Sequence, residues 1–187
     1  MLLSRKVLPI LVCLTGFSSA SRAIPVVGNI LPVVEIEGEK GGRTNGDKWS
    51  SAMIKDHLWL LFYVDPDHKD DNQNLEKALK NEKFPEEDLG SIGVINMAAT
   101  WLPDVALKPA LEAKQKDYPK VVYVLDRKKA LLEKWKLVDD DYNVLLFGKD
   151  GQVLYANHGI LDSKAIADLI AIIRKNLSNT KPPSTAP

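Results

Sequence analysis

The chain has 187 residues, 25 Lys+Arg against 25 Asp+Glu, 45% hydrophobic residues and a single cysteine. Such a balance excludes a fibre, a disordered polyelectrolyte and a disulfide-stapled scaffold, and leaves an ordinary globular protein.

At the N-terminus, Arg5 and Lys6 precede an eleven-residue, nearly all-apolar run from Val7 to Phe17, and the small-residue sequences Ser18-Ser19-Ala20 and Ser21-Arg22-Ala23 follow. This is the arrangement of a secretory signal. The run is shorter than the roughly 20 residues that span a bilayer, so residues 1–23 are expected to be removed and to leave no stable membrane anchor. The lone cysteine, Cys13, lies in the middle of the run after bulky Val12, the wrong place for lipid attachment. Cleavage after Ala20 or Ala23 fits the sequence, and export implies the periplasm. After Ala23 it leaves 164 residues with 22 positive and 25 negative groups, a net charge of −3, and no cysteine. A slightly acidic chain does not suit nucleic acid, which requires a concentrated basic surface. The densest basic stretch, Arg127-Lys128-Lys129 with Lys134 and Lys136, reads as a solvated turn. Residues 24–177 suit one domain, and the proline-rich tail 178–187, with no apolar anchor, is expected to be disordered.

Along the domain, Leu31 to Glu37 alternates weakly and could form a strand, and the glycine-rich stretch Gly38 to Lys48 reads as a flexible connection. Leu58 to Val64 (LWLLFYV) is a continuous apolar run, the mark of a strand buried on both faces. A polar turn from Asp65 to Asn72 leads into a helix with Leu75, Ala78 and Leu79 on one face. Ile92 to Met97 reads as a strand, and Pro103 to Asp117 as a helix that Pro109 kinks or starts. Val121 to Leu125 is a third buried strand. Asn143 to Phe147 and Gln152 to Ala156 form a hairpin around Gly148-Lys149-Asp150-Gly151, and a last helix begins at Asp162 or Ser163 with Ile166, Leu169, Ile170, Ile173 and Leu177 at helical spacing. Parallel strands joined by helices predict an α/β protein: three layers, α/β/α, with a mixed sheet closed by a C-terminal β-hairpin and helix.

That element order is the order of the thioredoxin-like fold. The blocks LWLLFYVDPDHKDDN, GVINMAATWLPDVALKPALEAKQKDYP and VVYVLD, followed by NVLLFGKDGQVLYANHGILDSKAIADLIAIIRKNL, resemble the YtfJ-type family of bacterial periplasmic thioredoxin-like proteins from about Ile30 to Leu177. The resemblance implies a secreted domain of poorly defined function, and its old label of transcriptional regulator does not suit an exported, slightly acidic chain. In a redox-active thioredoxin the first buried strand runs into Cys-x-x-Cys at a helix start. Here that stretch is Asp65-Pro66-Asp67-His68-Lys69-Asp70-Asp71, and Asp139-Asp140-Asp141-Tyr142 stands where such proteins place a cis-proline. Thiol–disulfide exchange needs a thiolate, so the expectation is a redox-inactive protein that is not an enzyme and carries no cofactor.

The acidic cluster Asp65, Asp67, Asp70, Asp71 invites comparison with a calcium loop, but Lys69 and Asp70 occupy positions where a ligand and the turn glycine belong. Stabilisation of the following helix N-terminus explains the same residues. Divalent-cation binding by Asp65, Asp67, His68 and Asp71 is the alternative. In the thioredoxin-like arrangement both acidic clusters lie near the carboxyl ends of the central strands, where open α/β sheets bind ligands. Asp67, Asp70, Asp140, Asp141 and Tyr142 are therefore candidates for contact with a protein or peptide partner, with Trp101 as a candidate hydrophobic contact. Of the histidines His57, His68 and His158, only His68, within the acidic turn, sits among carboxylates placed to raise its pKa or share a metal. Motifs for acyl transfer, nucleotide hydrolysis and dinucleotide binding are missing.

Overall fold

The computed structural model describes residues 24–99 and 104–178, with the backbone alone for 104–108. Residues 1–23, Trp101, Pro103 and residues 179–187 lie outside the described residues, and with them the expected signal, most of the expected tail and one contact candidate.

The strands are β1 (Glu35–Ile36), β2 (Gly41–Arg43), β3 (Trp49–Ser50), β4 (Leu58–Val64), β5 (Leu89–Asn96), β6 (Val122–Asp126), β7 (Tyr142–Phe147) and β8 (Val153–His158). The helices are α1 (Gln73–Glu82), α2 (Asp104–Asp117), α3 (Ala130–Trp135) and α4 (Ser163–Ser178). Six strands form one mixed sheet in the order β2-β6-β5-β4-β7-β8. Strands β4, β5 and β6 run parallel, while β2, β7 and β8 are antiparallel to their neighbours.

Strand β4 lies at the middle of this sheet because its side chains are apolar on both faces. Trp59, Leu61 and Tyr63 join a core with Ile92, Val94, Val124, Leu145 and Phe147, covered by α3 through Leu131, Leu132 and Trp135 and by the β1–β3 ribbon through Ile36 and Trp49. Leu58 and Leu60 face the other way with Val144 and Leu146, against Leu75 of α1 and Leu169 and Ile173 of α4. The α/β/α layering expected from the sequence is therefore present. Among the described tryptophans, Trp49, Trp59 and Trp135 are all core residues, and Trp135 ties the N-terminal segment down by donating to the Pro32 carbonyl at 2.8 Å.

The C-terminal hairpin closes as expected: the Gly151 N–H donates to Gly148 O at 3.0 Å and Asp150 accepts from the Gln152 N–H at 3.0 Å. Asp162 caps α4 by accepting from the Ala165 N–H at 2.8 Å, and α4 runs through Ser178, one residue into the expected tail. Pro109 sits inside α2, not in its first turn.

Three expectations are corrected. The glycine-rich stretch is no flexible connection: it forms a 3-10 turn at Gly38–Lys40 and then β2, which edges the sheet along β6. Gly41 is there because a Cβ on it would stand 1.8 Å from the Leu125 carbonyl oxygen, at φ +121°. Of Leu31 to Glu37, only Glu35 and Ile36 pair as a strand. The basic stretch after β6 contains a helix, α3, because Leu131, Leu132 and Trp135 bury one face while Lys129 and Lys136 take left-handed backbone angles at its two ends.

Candidate functional site

Each parallel strand of the sheet ends on a polar residue. Val64 pairs with Ile95, so Asp65, just past β4, comes beside Asn96, and Asn96 pairs with Asp126 at the end of β6. Asp65, Asn96 and Asp126 thus form a row across the carboxyl edge, 2%, 0% and 0% exposed. Buried polar groups require partners, and the three differ in how far they find them.

Asp126 is satisfied. Its oxygens accept from the backbone N–H groups of Ala130 at 2.8 Å and Leu131 at 2.9 Å, opening α3, and from the Tyr63 hydroxyl at 3.4 Å. Burial, with the Asp126 charge beside it, keeps the Tyr63 phenol protonated far above its ordinary range. Asp65 is not satisfied: both carboxylate oxygens are buried without a hydrogen-bond partner, as is Asn96 Oδ1. Burial raises the Asp65 pKa; the nearby Asn96 amide opposes that, Asp139 and Asp140 add to it, and Lys129 lowers it. Asn96 turns its amide nitrogen to Asp139 Oδ1 at 3.4 Å, and Lys129 Nζ donates to Asp139 Oδ2 at 2.6 Å. This contact leads the causes that raise the Lys129 pKa.

Above this row the two acidic loops meet. The Asp65 N–H donates to Asp141 O at 3.2 Å. His68 stands between the loops, its Nδ1 2.7 Å from Asp71 Oδ2 and its Nε2 3.6 Å from Asp140 Oδ1. The hydrogen bond with Asp71 is the first cause that holds the His68 pKa above its ordinary value, against a smaller opposing effect of burial. Asn143 fastens the second loop, accepting from the Val138 N–H at 2.9 Å and donating to Val138 O at 2.8 Å. Buried Asn72 ties the first loop to the segment after β8 by donating to Gly159 O and accepting from the Leu161 N–H, each at 2.9 Å.

The candidate residues separate under this geometry. Asp67, Asp70 and Asp140 are exposed at the surface, with Asp70 paired to Lys69. Asp141 is 8% exposed and committed, accepting from the Tyr142 N–H at 2.8 Å and standing 2.7 Å from His158 Nδ1. Tyr142 is 3% exposed and packs edge-to-face on Phe62 at 5.9 Å. Both are therefore withdrawn as side-chain contacts: the β7 register turns Tyr142 into the core, and His158 occupies Asp141. Asn72 is the N-cap of α1. A 3-10 turn at Pro66–His68 sets Asp65 and Asp67 off from the helix, while Asp70 and Asp71 directly precede the N-cap. Asp70 stands close enough to Gln73 of the first turn to be held below its ordinary pKa first by Lys69 and then by that contact. Asp65, Asp67, His68 and Asp71 are not gathered into a metal set either: among the described residues no three His, Cys, Asp or Glu side chains group to hold an ion. Asp65 lies beneath the surface while His68 and Asp71 pair with each other.

Sequence reasoning missed Asn72, Asn96, Asp126, Lys129 and Asn143, and the pairing of His158 with Asp141. The signal for the row was present: each apolar strand run breaks on Asp or Asn. A separate surface cavity of about 370 Å³ lies at the amino end of β6, lined by Thr44, Gln115, Lys120 and Tyr123 among others, away from the acidic loops.

The solved structures this chain resembles are thioredoxin-like. A putative protein disulfide isomerase from Bacteroides thetaiotaomicron matches with a TM-score of 0.60 at 17% identity, over 83% of this chain and 92% of that one. A thiol peroxidase from Chromobacterium violaceum matches with a TM-score of 0.59 at 11% identity, over 82% and 88%. The relative "Uncharacterized protein YtfJ" of Escherichia coli (strain K12) is 24% identical over 132 residues, 69% of this chain and 72% of that protein. The model of the family described as "Bacterial protein of unknown function (YtfJ_HI0045)" matches residues 29–176. The chain, a thioredoxin-like α/β fold with one cysteine and no Cys-x-x-Cys, belongs to that family.

Proposed function

We propose that this chain is an exported, non-catalytic thioredoxin-like domain that acts as a binding or accessory module in the periplasm, with the carboxyl edge around Asp65–Asp71 and Asp139–Asp140 as its contact surface. One observation carries the reading: residues 24–187 contain no cysteine, so the scaffold whose relatives in fold include thiol enzymes has no thiolate to attack a disulfide. The stretch following β4 offers carboxylates and an imidazole instead. With no thiolate in that place, the convergence of two acidic loops supports recognition over disulfide exchange.

The test has three readouts on the protein recovered from cells. N-terminal sequencing is expected to begin after Ala20 or Ala23 in the periplasmic fraction; retention of the full N-terminus in the cytoplasm overturns export. Insulin reduction by the purified protein is expected to match the protein-free control, and reduction above it overturns the non-catalytic reading. Photo-cross-linkers placed at residues 67 and 140 are expected to capture the same partner, while one at Lys175 on α4 does not. Equal capture from all three positions removes the carboxyl edge as the contact surface.

A further inference from the structure

The two acidic loops carry more charge than the cations within them neutralise. Asp65, Asp67, Asp70, Asp71, Asp139, Asp140 and Asp141 stand against Lys69, Lys129, His68 and His158. The surface therefore stays negative even with both imidazoles protonated. Arg127 and Lys128, past the end of β6, bound it on one side, and Lys114 of α2 is near enough to act on Asp70. At the rim, Asp140 has a side chain 87% exposed, and Asp67 is exposed with no ion pair or hydrogen bond to the described residues. Beneath the rim, Asp65 is 2% exposed and holds two acceptor oxygens that no donor meets.

An acidic rim alone is a solvated surface, but a buried carboxylate that makes no close hydrogen bond favours an incoming donor, since leaving such a group unpaired is costly. What it requires is a group that donates and does not accept. A lysine ammonium has three donors and no acceptor, on a stem long and thin enough to pass a rim. The edge already handles one ammonium in this way: Lys129 Nζ sits on Asp139 Oδ2 at 2.6 Å and acts on Asp65 electrostatically.

Accepting the carboxyl edge as the contact surface, we infer that it takes a lysine-bearing cationic segment of a partner protein, with Asp67 and Asp140 drawing the segment in and Asp65 receiving an ammonium between the two loops. Charge complementarity selects this occupant over an acidic or neutral peptide, and a carboxylate closed off from solvent suits the slender stem and compact ammonium of lysine better than the broad planar fork of arginine.

The experiment is a calorimetric titration of the purified protein with a short peptide of alternating glycine and lysine, at about 50 mM and about 300 mM salt. Binding is expected at the lower salt, weaker at the higher, and lost when the peptide lysines are acetylated. Asp67→Asn and Asp140→Asn are each expected to weaken binding by about two- to fivefold, the scale of an exposed ion pair. Asp65→Asn is expected to weaken it more than either. All three variants are checked by melting temperature, and the two rim variants, altered at exposed positions, are expected to melt with the wild type. Binding that survives acetylation, equal affinity in the variants, or no binding at low salt overturns the inference. So does calcium alone giving heat that these substitutions abolish while the peptide gives none, which assigns the edge to a metal ion. Cross-links from residues 67 and 140 to an acidic or uncharged segment also overturn the lysine inference yet leave the contact-surface reading standing.

Discussion

At Asp65 the chain leaves its most apolar strand and buries a carboxyl group that no donor meets. A charge in that position is expensive, and the raised pKa expresses it: between the ordinary value of 3.8 and the higher folded value, the native state holds the proton more firmly than the unfolded chain. Stability therefore falls as pH rises through that window, and the whole penalty is present above it. Asp65→Asn removes the charge and offers an amide donor in its place. The variant is expected to be more stable than the wild type at pH 7 by about 1–3 kcal/mol, the cost of an unsatisfied buried polar group, with the difference closing as pH falls toward 3.8. Urea denaturation at several pH values checks this, and a wild type more stable than the variant at neutral pH would contradict it. A gain in stability together with weaker lysine-peptide binding is what a site strained for recognition produces.

Among the elements, β2 and α3 show how the edge is assembled. Strand β2 closes the β6 side of the sheet only because Gly41 lets two backbones approach: a side chain there meets the Leu125 carbonyl at 1.8 Å and suffers a φ of +121°. Gly41→Ala is expected to destabilise the protein by about 1–3 kcal/mol, read as a lower urea midpoint. Hydrogen exchange that is faster in the variant than in the wild type at the Thr44 and Arg127 amides, which donate across this edge to Tyr123 O and Lys40 O, would locate the loss there. An unchanged midpoint would mean that β2 does not hold β6. Helix α3 has only six residues, too few to stand by propensity. It forms because Asp126 receives its first N–H groups and because Leu131, Leu132 and Trp135 enter the core. The basic residues around it masked this pattern in the sequence.

The whole molecule depends on a central strand buried on both faces. Leu61 is 0% exposed and packs among Ile92, Val94 and Leu145 under the α3 side of the sheet. Leu61→Ala is expected to cost about 2–5 kcal/mol, measured by denaturant unfolding, whereas Ile160→Ala, at a side chain 72% exposed, is expected to stay within about 0.5 kcal/mol. Comparable losses at both positions would mean that the sheet is not organised around β4. The same sheet sets the function. Because β4, β5 and β6 are parallel, their polar ends all reach one edge, and the antiparallel β7 brings the Asp139–Asp141 loop to that edge from the other side.

Composition and pattern by themselves determined that this is an α/β protein with a C-terminal hairpin and helix, because runs such as LWLLFYV and the Gly148–Gly151 turn carry their structure locally. They also determined that residues 24–187 contain no thiol, since that requires only counting. Only the tertiary structure decided which acids are exposed and which are buried. Asp65 and Asp67 are two residues apart in one polar stretch, yet one lies 2% exposed under the loops and the other stands in solvent. Likewise, His158 finds Asp141 and His68 reaches Asp140 across long stretches of sequence. Local pattern records what each residue prefers, whereas strand register and loop crossing decide what each residue meets, and at this edge the chemistry follows from the meetings.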